Sequence, residues 1–181
     1  RKSVDAFNLP SIELINYEAD DLIATYSEQI IKKGGDVTIV SSDKDLMQLY
    51  KKNIRIYDPM KNKFINEEDI QKKFGVNAEK VIDVQSLAGD SSDNVPGVPG
   101  IGIKTAAELI NEYGTLENLL SNSKNIKQNK RRETLIENKQ KAMISKKLVT
   151  LKKDVPVKVP YCDFVLKQID KKKLYNFLRD M

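Results

Sequence analysis

Residues 89–102 read Gly-Asp-Ser-Ser-Asp-Asn-Val-Pro-Gly-Val-Pro-Gly-Ile-Gly. Four glycines and two prolines in one short run cannot continue a helix or a central strand. The run must therefore be a hairpin, and helical spacing resumes directly after it, from Ile103 to Tyr113. Glycines ahead of a helix let the backbone approach a phosphate and aim free N–H groups at it. Asp90 and Asp93, three apart in the same run, can share a hard metal ion. Metal ligands beside a phosphate-binding hairpin point to phosphodiester chemistry, and they direct attention to carboxylates upstream.

Two further clusters are present. Glu18, Asp20 and Asp21 open a helix, and Asp43 and Asp45 follow a strand. Mg²⁺ keeps most of its waters and takes few protein oxygens, so hydrolysis with metal ions needs several carboxylates. Two ions about 4 Å apart can serve the attacking and the leaving oxygen. The chain has no histidine, which excludes a histidine general base and His-ligated zinc. Each cluster also has a purely structural reading. Asp20 and Asp21 can serve a helix dipole, Asp43 and Asp45 can cap the next helix, and Asp90 and Asp93 can form turns. Three clusters in one chain favour the metal reading.

Gly97 and Gly102 have P-loop spacing, but Ile103 intervenes before Lys104-Thr105, so the nucleotide motif fails by one residue. Gly100-Ile101-Gly102 with Ala106 instead matches a helix-hairpin-helix, whose backbone N–H groups bind DNA phosphate without reading sequence. Lys104, Lys130, Arg131 and Arg132 are candidate phosphate contacts. Aromatic residues are few and Trp is absent, which argues against a single-strand stacking platform.

Along the chain, strands are expected at Ser11–Ile15, Val37–Val40 and Ile54–Tyr57, with Lys63–Ile65 pairing as a small hairpin. The apolar Val37–Val40 suits a buried parallel strand. Helices are expected from Ala19 to Gly34, over Lys44–Leu49, from an Asn66 cap to Gly75, over Ala78–Leu87 after an Asn77 cap, over Ile103–Tyr113, and from a Thr115 cap through Leu120. A polar linker over Asn122–Asn129 precedes a long basic helix, Arg131–Leu148. Val155–Val159 reads as extended, and Lys171–Leu178 as a last helix. Strands alternating with helices and then helices alone give an α/β class with a helical subdomain. The expected division is 1–83 and 84–181.

The net charge of +5 conceals a split: residues 1–97 hold 13 basic and 17 acidic side chains, residues 98–181 hold 18 and 9. An acidic half that carries the carboxylates, joined to a basic half that starts at the hairpin, suits a metal nuclease on DNA. The single Cys162 cannot form an internal disulfide, which agrees with a reducing cytosol. No apolar run reaches the 18 or so residues of a membrane span.

Three segments, Tyr17–Asp21, Ser41–Leu49 and Gly89–Ala106, together resemble the 5′→3′ exonuclease domain of bacterial DNA polymerase I, one of the structure-specific 5′-nucleases that include flap endonucleases. The motifs come in the family's order. The resemblance implies a PIN-like parallel sheet followed by a helix-three-turn-helix subdomain. It implies two Mg²⁺ or Mn²⁺ ions, with Glu18, Asp20 and Asp21 at one and Asp43, Asp45, Asp90 and Asp93 around the other. It also implies DNA contact through Gly97, Val98, Gly100, Ile101, Gly102, Lys104, Thr105, Lys130, Arg131 and Arg132, with K⁺ bound by hairpin carbonyls. The implied partner is duplex DNA with a 5′ end or flap, in the cytoplasm at the bacterial nucleoid, with a polymerase domain linked downstream. The family's N-terminal aspartates and most of its arch have no counterpart before Tyr17, so the chain reads as the C-terminal two-thirds of such a domain, weak or inactive alone. The alternative is a non-catalytic, sequence-independent duplex-binding module.

Overall fold

The computed structural model describes residues 2–181. In chain order the elements are helix α1 (Lys2–Ala6), α2 (Ala19–Lys32), strand β1 (Val37–Val40), β2 (Ile54–Asp58), β3 (Lys63–Ile65), α3 (Glu67–Phe74), α4 (Val81–Ala88), α5 (Ile103–Tyr113), α6 (Leu116–Ser121), α7 (Asn129–Glu137), α8 (Lys139–Val149) and α9 (Lys171–Arg179). They form two compact units. One comprises residues up to 34 with 152–181, the other residues 35–151.

In the first unit, α2 carries Asp20 and Asp21 in its first turn and Lys32 in its last, matching the helix dipole. Gly34, at φ +79°, lets the chain leave the helix. Leu22 and Tyr26 from its buried face pack with Val155. The Thr25 hydroxyl donates to Lys152 O (3.1 Å) and accepts from Val155 N–H (3.2 Å), and the Tyr26 hydroxyl donates to Val159 O (2.8 Å). These bonds hold residues 152–159 as irregular chain rather than a ladder strand. Ser11–Ile15 is also not a strand. A strand needs a ladder partner, and among the described residues no strand pairs with this segment. Ile12 and Leu14 pack on the α2 core instead.

In the second unit, β1 pairs parallel with β2, and β2 pairs antiparallel with β3. Ile54, Ile56 and Asp58 of β2 face inward while Arg55 faces out. The expectation that β1 is buried on both faces is not met: Ile39 is buried, whereas Val40 is exposed. β1 lies at one edge of the three-stranded order β1-β2-β3, with β2 as its only strand neighbour among the described residues. Asn66 caps α3 through a complete capping box with Asp69, and Gly75 closes it in the left-handed conformation. Asn77 makes no side-chain cap bond, and the expected helix 78–87 opens as a tight turn, Ala78–Lys80, before α4. Thr115 caps α6 as expected.

The long basic helix breaks in two at Asn138. That residue departs from helical geometry (φ −104°, ψ 17°), and its side-chain amide donates to Thr134 O. The break turns α8 so that it packs along α4, with Ala142 and Ser145 fully buried. Across this interface Lys146 bonds Asp83 of α4 (2.7 Å), and it also bonds Glu117 of α6 (2.8 Å). Burial alone would lower the Lys146 pKa, but these two carboxylates outweigh it and raise it. Among the described residues no helix is long and apolar enough to cross a membrane.

Candidate metal centre and phosphate hairpin

Asp45, Asp90 and Asp93 converge: each offers a carboxylate oxygen, and these oxygens lie within 4.8 Å of one another. They come from two segments. Asp45 opens the 3₁₀ turn Asp45–Leu49 that follows β1, and Asp90 and Asp93 lie in the loop after α4. That loop is closed by paired backbone bonds between Asp90 and Val95 (2.9 and 2.7 Å).

The electrostatics of the three differ. Burial raises the Asp45 pKa and nearby Asp43 adds like charge, opposed by a hydrogen bond from the Gln85 amide (2.5 Å). Asp90 pairs with the Lys44 ammonium and accepts from the Ser92 N–H (2.9 Å) and hydroxyl (2.5 Å). The Lys44 bond, then the Ser92 bonds, hold its carboxyl at about 2. Asp93 is exposed. Three crowded carboxylates with one ammonium among them form an all-oxygen donor set that suits a hard divalent cation.

Asp43 does not join the trio. Its Oδ1 accepts the Asp45 N–H (2.9 Å), and its own N–H donates to Ser41 Oγ (3.0 Å), a capping arrangement at the start of the 3₁₀ turn. Glu18, Asp20 and Asp21 stand at the start of α2 in the other unit. Asp21 accepts the Lys152 N–H there (2.8 Å). Sequence reasoning missed Lys44 and Gln85. Lys44 sits between two aspartates already singled out. Gln85 lies five residues before Asp90, one helical turn back from Gly89 on α4.

The hairpin separates into a closed and an open part. The Gly97 N–H donates to the buried Ser145 hydroxyl (2.9 Å), the Val98 N–H to Leu87 O (2.8 Å), and the Ile101 N–H to Val98 O (3.1 Å). A Cβ on Gly97 would lie 2.5 Å from Gly89 N, so only glycine allows these two backbones to cross. Gly97, Val98 and Ile101 thus spend their N–H groups on the fold. The open part begins at Gly100 and Gly102. α5 starts after Gly102, which has no side chain to cap it, and the first helical bond runs from Ala106 N–H to Gly102 O (2.9 Å). The N–H groups of Ile103, Lys104 and Thr105 therefore have no acceptor within the helix. The space beside Gly100 and Gly102 is open.

Lys104 and Lys130 are exposed, and Thr105 and Arg131 are half-buried. Arg132 is held at its own turn by Ile126 O (3.1 Å) and Asn129 Oδ1 (2.8 Å).

Comparison with known proteins places this architecture. Residues 76–172 match the family model described as 5′-3′ exonuclease, C-terminal SAM fold, and residues 1–75 match 5′-3′ exonuclease, N-terminal resolvase-like domain. A DNA polymerase I of Rhizobium leguminosarum is 52% identical over 181 residues, covering 100% of this chain and 18% of that protein. A 5′-3′ exonuclease of Aquifex aeolicus is 39% identical over 173 residues, covering 96% of this chain and 58% of that protein. The chain therefore spans less than two thirds of either relative. A solved flap endonuclease of bacteriophage T5, in a pseudo-enzyme-product complex with DNA and metal ions, aligns with a TM-score of 0.73 at 22% identity, over 94% of this chain and 61% of its own. With a small mixed sheet leading into a helical region, and with both family models matching in succession, this chain belongs to the 5′-3′ exonuclease family.

Proposed function

We propose that the protein containing this chain hydrolyses DNA phosphodiesters near a 5′ end or flap junction, as a 5′→3′ exonuclease and flap endonuclease. One observation carries this reading. Three carboxylates from two segments gather within 4.8 Å, and the loop that carries two of them runs on into an uncapped helix start. Asp45, Asp90 and Asp93 would hold a divalent cation, Mg²⁺ or Mn²⁺. When bound, such an ion neutralises phosphodiester charge and polarises the phosphoryl oxygen. Asp43 supports Asp45 by fixing its backbone. Glu18, Asp20 and Asp21 belong in this proposal to a second ion, and the hairpin carbonyls to K⁺.

The DNA lies against the open N–H groups of Gly100, Gly102, Ile103, Lys104 and Thr105, where a helix N-terminus favours a phosphate. The Lys104 ammonium adds charge, as do Lys130 and Arg131. Contacts of this kind position a duplex without reading its bases. We place the functional division at residues 83/84, with Asp45 of the metal trio before it and Asp90, Asp93 and the DNA-binding helices after it. The bacterial nucleoid is the proposed setting, with a polymerase domain as a neighbour in the same protein.

The test uses the whole protein with a 5′-flap duplex and Mg²⁺. Asp90→Asn should lower kcat/KM by about 10²-fold or more, equivalent to ~2.7 kcal/mol, while duplex affinity in EDTA is retained. Cleavage that persists undiminished in Asp90→Asn would overturn the proposal.

A further inference from the structure

Beyond the three carboxylates stands a neutral side chain whose placement stability alone does not explain. Gln85 is 4% exposed, at mid-helix on α4. Its Nε2 donates to Asp45 Oδ1 at 2.5 Å. Its Oε1 is buried and has no hydrogen-bond partner among the described residues. A buried amide with one end unpaired costs free energy that an apolar side chain of similar size would not. Residues that break a local rule in this way are expected where function needs them.

The topology says what the amide does. Asp45 belongs to the turn after β1, whereas Asp90 follows α4, whose last turn is closed by a bond from Gly89 N–H to Gln85 O (2.8 Å). Two side-chain links described above tie these segments together. One is the Lys44–Asp90 ion pair, an ammonium on a carboxylate that a divalent cation would compete for. The other is Gln85 to Asp45, a neutral donor that satisfies one carboxylate oxygen and adds no charge. Only this second link can persist unchanged when a cation enters the cluster. Such outer hydrogen bonds orient the groups that hold a metal.

We infer that Gln85 is a positioning residue for Asp45, holding that carboxylate in register with Asp90 and Asp93 for a divalent cation. The inference rests on the metal reading of the acidic trio given above. It assigns no contact between Gln85 and the DNA or the ion.

The test is Mn²⁺ binding to the whole protein without DNA, read by the electron paramagnetic resonance signal of free Mn²⁺, with thermal unfolding of the metal-free protein measured alongside. Gln85→Met keeps the volume and removes both the donor and the orphaned acceptor. The expected result is a Kd about tenfold weaker at the site that Asp90→Asn abolishes, with Tm unchanged or raised. Gln85→Leu should behave alike. If Asp90→Asn weakens Mn²⁺ binding while both Gln85 variants bind as wild type, the role of Gln85 is refuted and the metal site stands. If Asp90→Asn itself leaves binding unchanged, the metal reading fails. If affinity in the Gln85 variants falls only together with Tm, Gln85 is a structural residue and the inference is overturned.

Discussion

Asp58 illustrates how a single buried carboxylate makes this fold depend on pH. It is 2% exposed at the end of β2. It accepts from the Ser42 hydroxyl (2.6 Å) and from the N–H groups of Met60 (3.0 Å) and Lys61 (3.2 Å), and it pairs with the Lys61 ammonium (3.0 Å). The Ser42 bond, then the Lys61 bonds, hold its carboxyl well below the usual carboxylate range. A carboxylate whose pKa is lower folded than unfolded adds stability above its unfolded pKa, near 3.9, and loses it as pH falls toward the folded value. Tm should therefore decline as pH drops below about 4. Asp58→Asn should be less stable at pH 7 and decline less steeply between pH 5 and 2, followed by circular dichroism. An equally steep acid decline in the variant would remove Asp58 from the account. Asp58 was not legible in the sequence as more than a turn residue before Pro59: Met60 and Lys61 are local partners, but the Ser42 hydroxyl reaches it only when β2 and the loop after β1 pack together.

At the scale of elements, the hairpin is held from outside itself. The Ser145 hydroxyl on α8 receives the buried Gly97 N–H, so the helix after the Asn138 break is part of what shapes residues 89–102. Ser145→Ala leaves that N–H unpaired and should cost about 1–3 kcal/mol, read as a lower denaturation midpoint with an unchanged m-value. A loss below a few tenths of a kcal/mol would mean that water replaces the hydroxyl. Gly102 permits a sharper separation of fold from function. It has extended geometry (φ −89°, ψ 175°) and open space around it, so a side chain fits without strain. Gly102→Asp should cap α5 and stabilise the protein by a few tenths of a kcal/mol. It should also weaken duplex affinity by setting a negative charge on the N–H cluster. A variant that is more stable and binds duplex equally well would place the DNA elsewhere. Gly100 is less informative as a test site, since at φ +76° any side chain strains the backbone.

At the scale of the whole molecule, the basic excess beyond residue 97 should make duplex binding depend strongly on salt and weakly on sequence. Log K should fall linearly with log salt, and Lys104→Gln should reduce that slope by about 0.9, the share of one neutralised phosphate. Fluorescence anisotropy on two unrelated duplexes checks both points, and a slope unaffected by Lys104→Gln would exclude that contact. Much of this was accessible without coordinates. Local signals, namely the Asn66 and Thr115 caps, the Gly75 stop and the glycine hairpin, act within a few residues and so could be read directly. The motif order likewise identified the family. What failed depended on distant partners. Ser11–Ile15 has strand composition but no strand pairs with it among the described residues, and the basic run 131–148 breaks where Asn138 turns α8 onto α4. Gly97, Val98 and Ile101 were expected among the DNA contacts, and in the fold their N–H groups go to the Ser145 hydroxyl, Leu87 O and Val98 O. Local chemistry thus determined which residues could bind a metal or a phosphate. Only the tertiary structure decided which of them remain free to do so, because a buried polar group takes whatever partner packing brings within hydrogen-bond reach.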